Sequence, residues 1–417
     1  MNAKEMSAFK QKALQWASNF PVCCCLDSNR YSDPYTQYDC LIAVGATAEL
    51  SAKSGDAFAQ LLEFYKENNN WVFGLFSYEL KNEVEQLSSS HNDQLDFPDL
   101  FFFVPKYLIA VGEKNITVII GDSDIISIIS ETPIYSEFST PKVDIKTRTS
   151  REDYITTVKK LQEHIKRGDI YEVNFCQEFF SENAKIDPLA IYQSLSLLSP
   201  TPFAGFFKIY DRYILSATPE RFLCKRGNKL ISQPIKGTAK RSMDLKVDEL
   251  IKEGLKSSIK EQAENVMIVD LVRNDLTKSA VKGTVKVDEL FGIYTFPQVH
   301  QMISTISCEL QPSIHFIEAI KNTFPMGSMT GAPKIRAMEL IDRYESAKRG
   351  AFSGSFGCIS PTGDFDFNVI IRSILYNEAT RYLSFQVGGA ITYAAQAEQE
   401  YEECLLKASA IMKVLGS

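Results

Sequence analysis

The stretch DRYILSATPERFLCKRGNKLISQPIKGT, residues 211–238, carries the pattern from which the fold class follows. Residues 211–226 and 230–238 are rich in strand-forming side chains and flank Gly227-Asn228, a dipeptide suited to a tight reversal. A β-hairpin is therefore expected there. Working outward, Tyr171, Val173, Phe175 and residues 177–179 alternate as a strand, and further strands are expected near 354–360, 370–376 and 382–387. Helices are expected over 245–272, 332–344 and 397–415. Another should start at Ser150, a capping hydroxyl followed by Arg151, Glu152 and Asp153, with Tyr154, Val158, Leu161 and Ile165 on one face and Gly168 as its stop. Strands arriving in hairpins, with helices inserted between them, favour an α+β class with antiparallel sheets over a doubly wound parallel sheet.

Upstream, residues 71–78 and 100–111 are apolar enough for buried strands, and residues 87–99 form a polar insertion. A linker-like stretch over 131–149, containing Pro133 and Pro141, divides the chain into segments 1–145 and 146–417. The 417 residues carry 45 Lys plus Arg against 52 Asp plus Glu, a net charge of −7 that argues against a nucleic-acid footprint. Neither a signal-peptide core near the start nor a run of 18 apolar residues is seen, so a cytoplasmic protein without membrane spans is expected. Cys23, Cys24 and Cys25 are consecutive and read as a buried strand, and the nine cysteines lack the spacing of a disulfide framework or zinc site. With only four histidines, any metal should be a hard cation held by carboxylates.

Two acidic pairs, Glu261 with Glu264 and Glu400 with Glu403, each share a helix face. Such faces are usually solvated surface, and two of them meeting would instead bind Mg²⁺. In the segment 263–271, AENVMIVDL, Glu264 stands beside an apolar run, which favours burial and hence a partner. Lys236 follows Pro234-Ile235 and precedes Gly237-Thr238. It either snorkels to solvent or faces a ligand that Gly237 lets the backbone approach. Acting as base or nucleophile would require it to shed its proton, through burial or neighbouring positive charge. The segment 327–334, GSMTGAPK, lacks the spacing of a nucleotide phosphate loop, yet leads into a helix whose first amides suit an anionic carboxylate. Gly388-Gly389-Ala390 offers another such place, and Arg372 and Lys407 are available counter-charges or plain surface residues.

The segments 168–174, 217–222, 234–238, 263–275, 296–300, 327–339 and 397–403 together resemble the chorismate-utilising enzymes of the anthranilate synthase component I family, on the branch that forms aminodeoxychorismate. The resemblance implies antiparallel β-sheets packed as a sandwich with helices outside. It also implies Mg²⁺-dependent amination of chorismate to 4-amino-4-deoxychorismate in p-aminobenzoate and folate synthesis. Anthranilate-forming members usually carry alanine where this chain has Lys236, and the family mechanism uses that lysine as nucleophile at C2, with Glu220 protonating the departing C4 hydroxyl. Glu264 and Glu403 would ligate Mg²⁺, with Glu400 assisting. Gly237, Thr238, Arg372, Gly388, Gly389 and Lys407 would hold chorismate, and His300 and Thr330 would line the pocket. Ammonia would come from a separate glutamine amidotransferase subunit, because this chain shows no convincing glutaminase arrangement; without an added lyase domain, pyruvate release would fall to another enzyme. Ser28, Tyr35, Thr36, Gln37 and Tyr38, with Pro202 and Phe203, stand where relatives bind tryptophan, although Ser28 also reads as a simple turn serine. Two departures from the family, Cys358 after Gly357 and Phe367, bear on packing around the substrate. Alternatives are an isochorismate or salicylate synthase, in which lysine activates water, and a non-catalytic chorismate or tryptophan sensor.

Overall fold

The structure, a computed structural model, describes residues 3–134 and 142–416, so part of the expected linker, including Pro141, lies outside the described residues. The hairpin forms where expected: strands Arg221–Arg226 and Lys229–Gln233 pair with Arg226 opposite Lys229, and Gly227 turns the chain at φ +59°. Its arms are shorter than their sequence pattern suggests. The run 211–226 breaks at 217–220, where Pro219 interrupts it, and the two pieces take different neighbours. Arg212–Ser216 pairs with Ala204–Ile209 and Ser373–Asn377, whereas Arg221–Arg226 also pairs with Phe365–Asn368. The second arm breaks at Pro234, which has no N–H for the ladder, and resumes as Ile235–Lys240 against Val299–Glu309. These two breaks put Glu220 and Lys236 at strand ends.

All pairings between the named strands are antiparallel, and with eleven α-helices among the described residues the class is α+β. Strands run between two hydrophobic clusters. In Val22–Asp27, Cys24 faces one cluster, while Cys23 and Cys25 face the other. Burial on both faces explains why such strands read as continuous apolar runs instead of alternating ones. Glu172–Ser181 is also buried at every position, although it carries Glu172, Asn174, Gln177 and Glu178 among its apolar residues. Helices Ala3–Ser18, Arg151–Lys166, Pro188–Leu198, Lys334–Tyr344 and Ala397–Val414 contribute to the second cluster. All nine cysteines are free and buried.

Residues before 145 share sheet and core with the rest: Val22–Asp27 pairs with Ala204–Ile209, and Val72–Phe76 with Ser355–Ile359. The helix after Ser150 starts as expected, the Ser150 hydroxyl accepting from the Asp153 amide at 3.0 Å. The helix expected over 245–272 is two helices, Leu245–Ser257 and Ile259–Thr277, divided at Ser258, whose hydroxyl caps the second. Among the described residues no helix is long and apolar enough to cross a membrane.

Candidate active site

A cleft with about 950 Å³ of open space collects the end of the Ile235–Lys240 strand, the residues before Arg221, and the first turns of helices Ile259–Thr277 and Ala397–Val414. It is lined by Glu220, Lys236, Gly237, Thr238, Glu264, Arg372, Gly388, Gly389, Glu400, Glu403 and Lys407, eleven of the residues singled out from sequence. They come from segments up to 187 positions apart in the chain, counted from Glu220 to Lys407.

Lys236 is nearly buried, and its Nζ donates to Oε1 of the fully buried Glu172 at 2.8 Å. Burial pulls its pKa down, but the attraction of Glu172, then Glu264 and Glu220, outweighs this and lifts it above the ordinary lysine value. Carboxylates, not the neighbouring positive charge that would free the amine, surround it, and they favour its protonated form. Glu220 behaves oppositely. Burial pushes its carboxyl up to about 7, opposed only in part by Ser328 and then Lys236, so about half of it keeps its proton near neutrality.

Burial also pushes Glu264 up to about 7 against the pull of Lys236 and Lys260. Its Oε1 is buried and accepts no hydrogen bond. Glu400 is raised too, by burial and then by repulsion from Glu403. For Glu403 the burial effect is outweighed by Lys407, whose ammonium lies 2.6 Å from its Oε1 and holds it below the usual range. Hard oxygen donors on two helices, one of them orphaned, fit Mg²⁺ chemically. Among the described residues, however, no three acidic, histidine or cysteine side chains converge into a formed metal cage. Lysines stand in the way: Lys260 lies between Glu264 and Glu400, and Lys407 holds Glu403.

Gly388 and Gly389 lie inside strand Tyr382–Ile391, opposite Cys176 and Phe175. Lys407 donates from Nζ to the Gly388 carbonyl at 2.7 Å. At Gly389 an added Cβ would stand 3.0 Å from Oε2 of Glu400, so the glycine brings the backbone close to that carboxylate. Gly237, at φ +92°, likewise leaves room for the Glu261 carboxylate. Half-buried Arg372 borders the cleft at φ +51°; burial lowers its pKa and Glu403 opposes this.

Two expected lining residues stand behind the wall. His300 bonds through Nε2 to Asp248 at 3.0 Å and through Nδ1 to Thr295 at 2.9 Å, and its neighbour Gln301, on the opposite strand face, lines the cleft instead. Thr330 is fully buried, its hydroxyl donating to the Gly327 carbonyl at 3.1 Å, while Ser328 and Met329 reach the cleft. The helix start at Lys334 also stays outside the lining, with the lysine turned to Asp275 at 2.8 Å. Sequence reasoning gave no role to Glu172, whose charge partner Lys236 is 64 positions away, or to Lys260, which pairs with Glu264 on its own helix and with the distant Glu400. It also missed Arg349, fully buried, which donates to the Met329 and Asn174 carbonyls at 2.6 and 2.9 Å and pins two pieces of the wall.

A second cleft, of about 700 Å³, is lined by Ser28, Thr36, Gln37, Tyr38, Pro202 and Phe203 together with Trp71 and Arg221. The buried Ser28 hydroxyl lacks a hydrogen-bond partner, and the Arg221 guanidinium sits 4.6 Å from the Phe203 ring centre. Tyr35 is outside this lining; its carbonyl accepts from Arg226 at 2.7 Å. Cys358 borders this second cleft, and Phe367 packs in the core against Phe76 and Phe102. Neither departure from the family touches the first cleft.

Residues 22–413 match the family described as chorismate binding enzyme. The aminodeoxychorismate synthase component 1 of Escherichia coli K12 is 35% identical over 349 residues, covering 82% of this chain and 76% of that relative. An anthranilate synthase component 1 from Thermus thermophilus is 31% identical over 359 residues, 82% of this chain and 77% of its own length. Among solved structures, anthranilate synthase component I from Streptococcus pneumoniae shares the fold at TM-score 0.78, with 23% identity over 91% of this chain and 93% of that one.

Proposed function

We propose, from the premise that the chain belongs to the family of chorismate binding enzymes, that it aminates chorismate at C4 to give 4-amino-4-deoxychorismate. Mg²⁺ would be the metal, and the ammonia would come from a glutamine amidotransferase subunit. The observation that carries this reading is Lys236 facing the same cleft as Glu220, an acid whose carboxyl is pushed up to about 7. The relatives named aminodeoxychorismate synthase support it.

In this reading Lys236 first passes a proton from Nζ to Oε1 of Glu172, the acceptor 2.8 Å away. The freed amine adds at ring carbon C2, and the C4–O bond breaks as Glu220 delivers its proton, releasing water. Ammonia then adds at C4 as the C2–Nζ bond breaks; the new C4 nitrogen passes its surplus proton to Glu220, and Glu172 returns its proton to Nζ, which resets both groups. Arg372 and Lys407 supply positive potential for the dianionic substrate, which a net acidic protein needs locally. Mg²⁺ held by Glu264 and Glu403, with Glu400 directly or through water, would fix the ring carboxylate and draw charge from the conjugated system.

Mass spectrometry of products from chorismate, Mg²⁺ and ammonium tests the reading. Aminodeoxychorismate is expected; anthranilate, or isochorismate or salicylate formed without nitrogen, overturns it. A non-catalytic sensor would bind chorismate and leave it unchanged. For the second cleft we propose tryptophan as occupant, on the strength of the unpaired Ser28 hydroxyl and the aromatic wall of Phe203 and Trp71.

A further inference from the structure

Lys260 occupies an unfavourable place in its helix and a favourable one in the tertiary structure. It lies in the first turn of Ile259–Thr277, the positive end of the helix dipole, where a cation is disfavoured. Yet its ammonium turns into the cleft, 3.8 Å from Oε1 of Glu264 and 3.4 Å from Oε1 of Glu400. Those carboxylates belong to different helices, and their side chains are only 9% and 5% exposed. Facing each other without a cation they would repel. At 3.8 Å the lysine supplies charge to Glu264 but no hydrogen bond, and Oε1 of Glu264 remains unpartnered.

A divalent ion held by Glu264, with Glu400 directly or through water, would repel the ammonium at that range. The lysine can leave, because its side chain is 45% exposed and its four-carbon stem is flexible. We infer that Lys260 is a built-in counter-ion for the Glu264 and Glu400 pair, which a divalent cation must displace, so that residue 260 sets the affinity of the protein for Mg²⁺. This inference rests on the reading above that these carboxylates hold Mg²⁺. It accounts for a carboxylate-rich cleft that presents no formed metal cage: the cage closes only after an exchange of cations.

The test is a calorimetric titration of MgCl₂ into metal-stripped, full-length protein without chorismate, comparing wild type, Lys260→Met and Lys260→Arg. Removing two partly screened ion pairs should tighten Mg²⁺ binding in Lys260→Met by about tenfold, while Lys260→Arg, which keeps the charge, stays near wild type. Equal or weaker binding by Lys260→Met overturns the inference. A second measurement needs only the wild-type chain: Mg²⁺ should raise the rate at which an amine-acetylating reagent modifies Lys260, read by peptide mass spectrometry. A rate that is unchanged or falls on saturation with Mg²⁺ likewise overturns it. Mg²⁺ binding that is indifferent to residue 260 removes this inference alone. No Mg²⁺ binding by any of the three proteins, with chorismate present or absent, removes the metal reading as well.

Discussion

Lys236 donates a 2.8 Å hydrogen bond to Glu172, and the two side chains are only 10% and 1% exposed. Breaking such a buried pair from one side strands a charge, while replacing both partners need not. Lys236→Met should lower stability by about 3–5 kcal/mol, and Lys236→Met with Glu172→Leu should recover most of that loss. Urea denaturation of the two single variants and the double variant measures the coupling. Additive losses would show that the pair is not held as described.

The same pair bears on catalysis. Lys236→Ala should reduce formation of aminodeoxychorismate on the order of 10³-fold or more, because a nucleophile is lost outright. Chorismate binding, followed by calorimetry, should persist more nearly intact. Retained turnover would rule out a covalent role for the lysine.

Glu220 must be protonated to act, and its carboxyl sits at about 7. Turnover limited by this acid should therefore decline as pH rises through about 7. Between the ordinary value of 4.5 and about 7 the folded protein keeps this proton and the unfolded chain does not, so the group's contribution to stability falls as pH rises across that window. Glu220→Gln removes the penalty: it should gain up to about 3 kcal/mol relative to wild type at pH 8, and little at pH 4. Activity should drop about 10²–10⁴-fold. Denaturant titrations at the two pH values decide the sign.

Chelation of divalent ions should abolish turnover, and Mg²⁺ should restore it. Glu264→Gln should weaken Mg²⁺ binding by at least about tenfold, measured by calorimetry in the presence of chorismate. Unaltered affinity would place the metal elsewhere.

An added Cβ at Gly388 would lie 2.1 Å from the Phe175 carbonyl oxygen and 2.5 Å from Sγ of Cys176. Gly388→Ala should therefore cost at least about 1–3 kcal/mol and widen the sheet beneath the cleft. Thermal unfolding reads the first effect, and a raised KM for chorismate the second.

Much of this protein is written in local pattern. The hairpin at Gly227, the Ser150 cap, the buried cysteine strand and the acidic spacing on two helices all depend on neighbours a few residues apart, which is what periodicity and turn chemistry report. Glu220, Lys236 and the carboxylates that line the cleft were legible through their motifs. What the chain alone could not reveal was which charges meet. Whether Lys236 is neutral or protonated depends on Glu172, 64 positions away, and the vacancy between Glu264 and Glu400 is filled by Lys260, 140 positions from the latter. Nor could strand pattern tell that Gln301 faces the cleft and His300 turns away, since a one-residue shift exchanges the two faces. Local geometry settles within a few bonds of the backbone, whereas protonation and ion pairing follow from burial and from distances that only the folded chain creates.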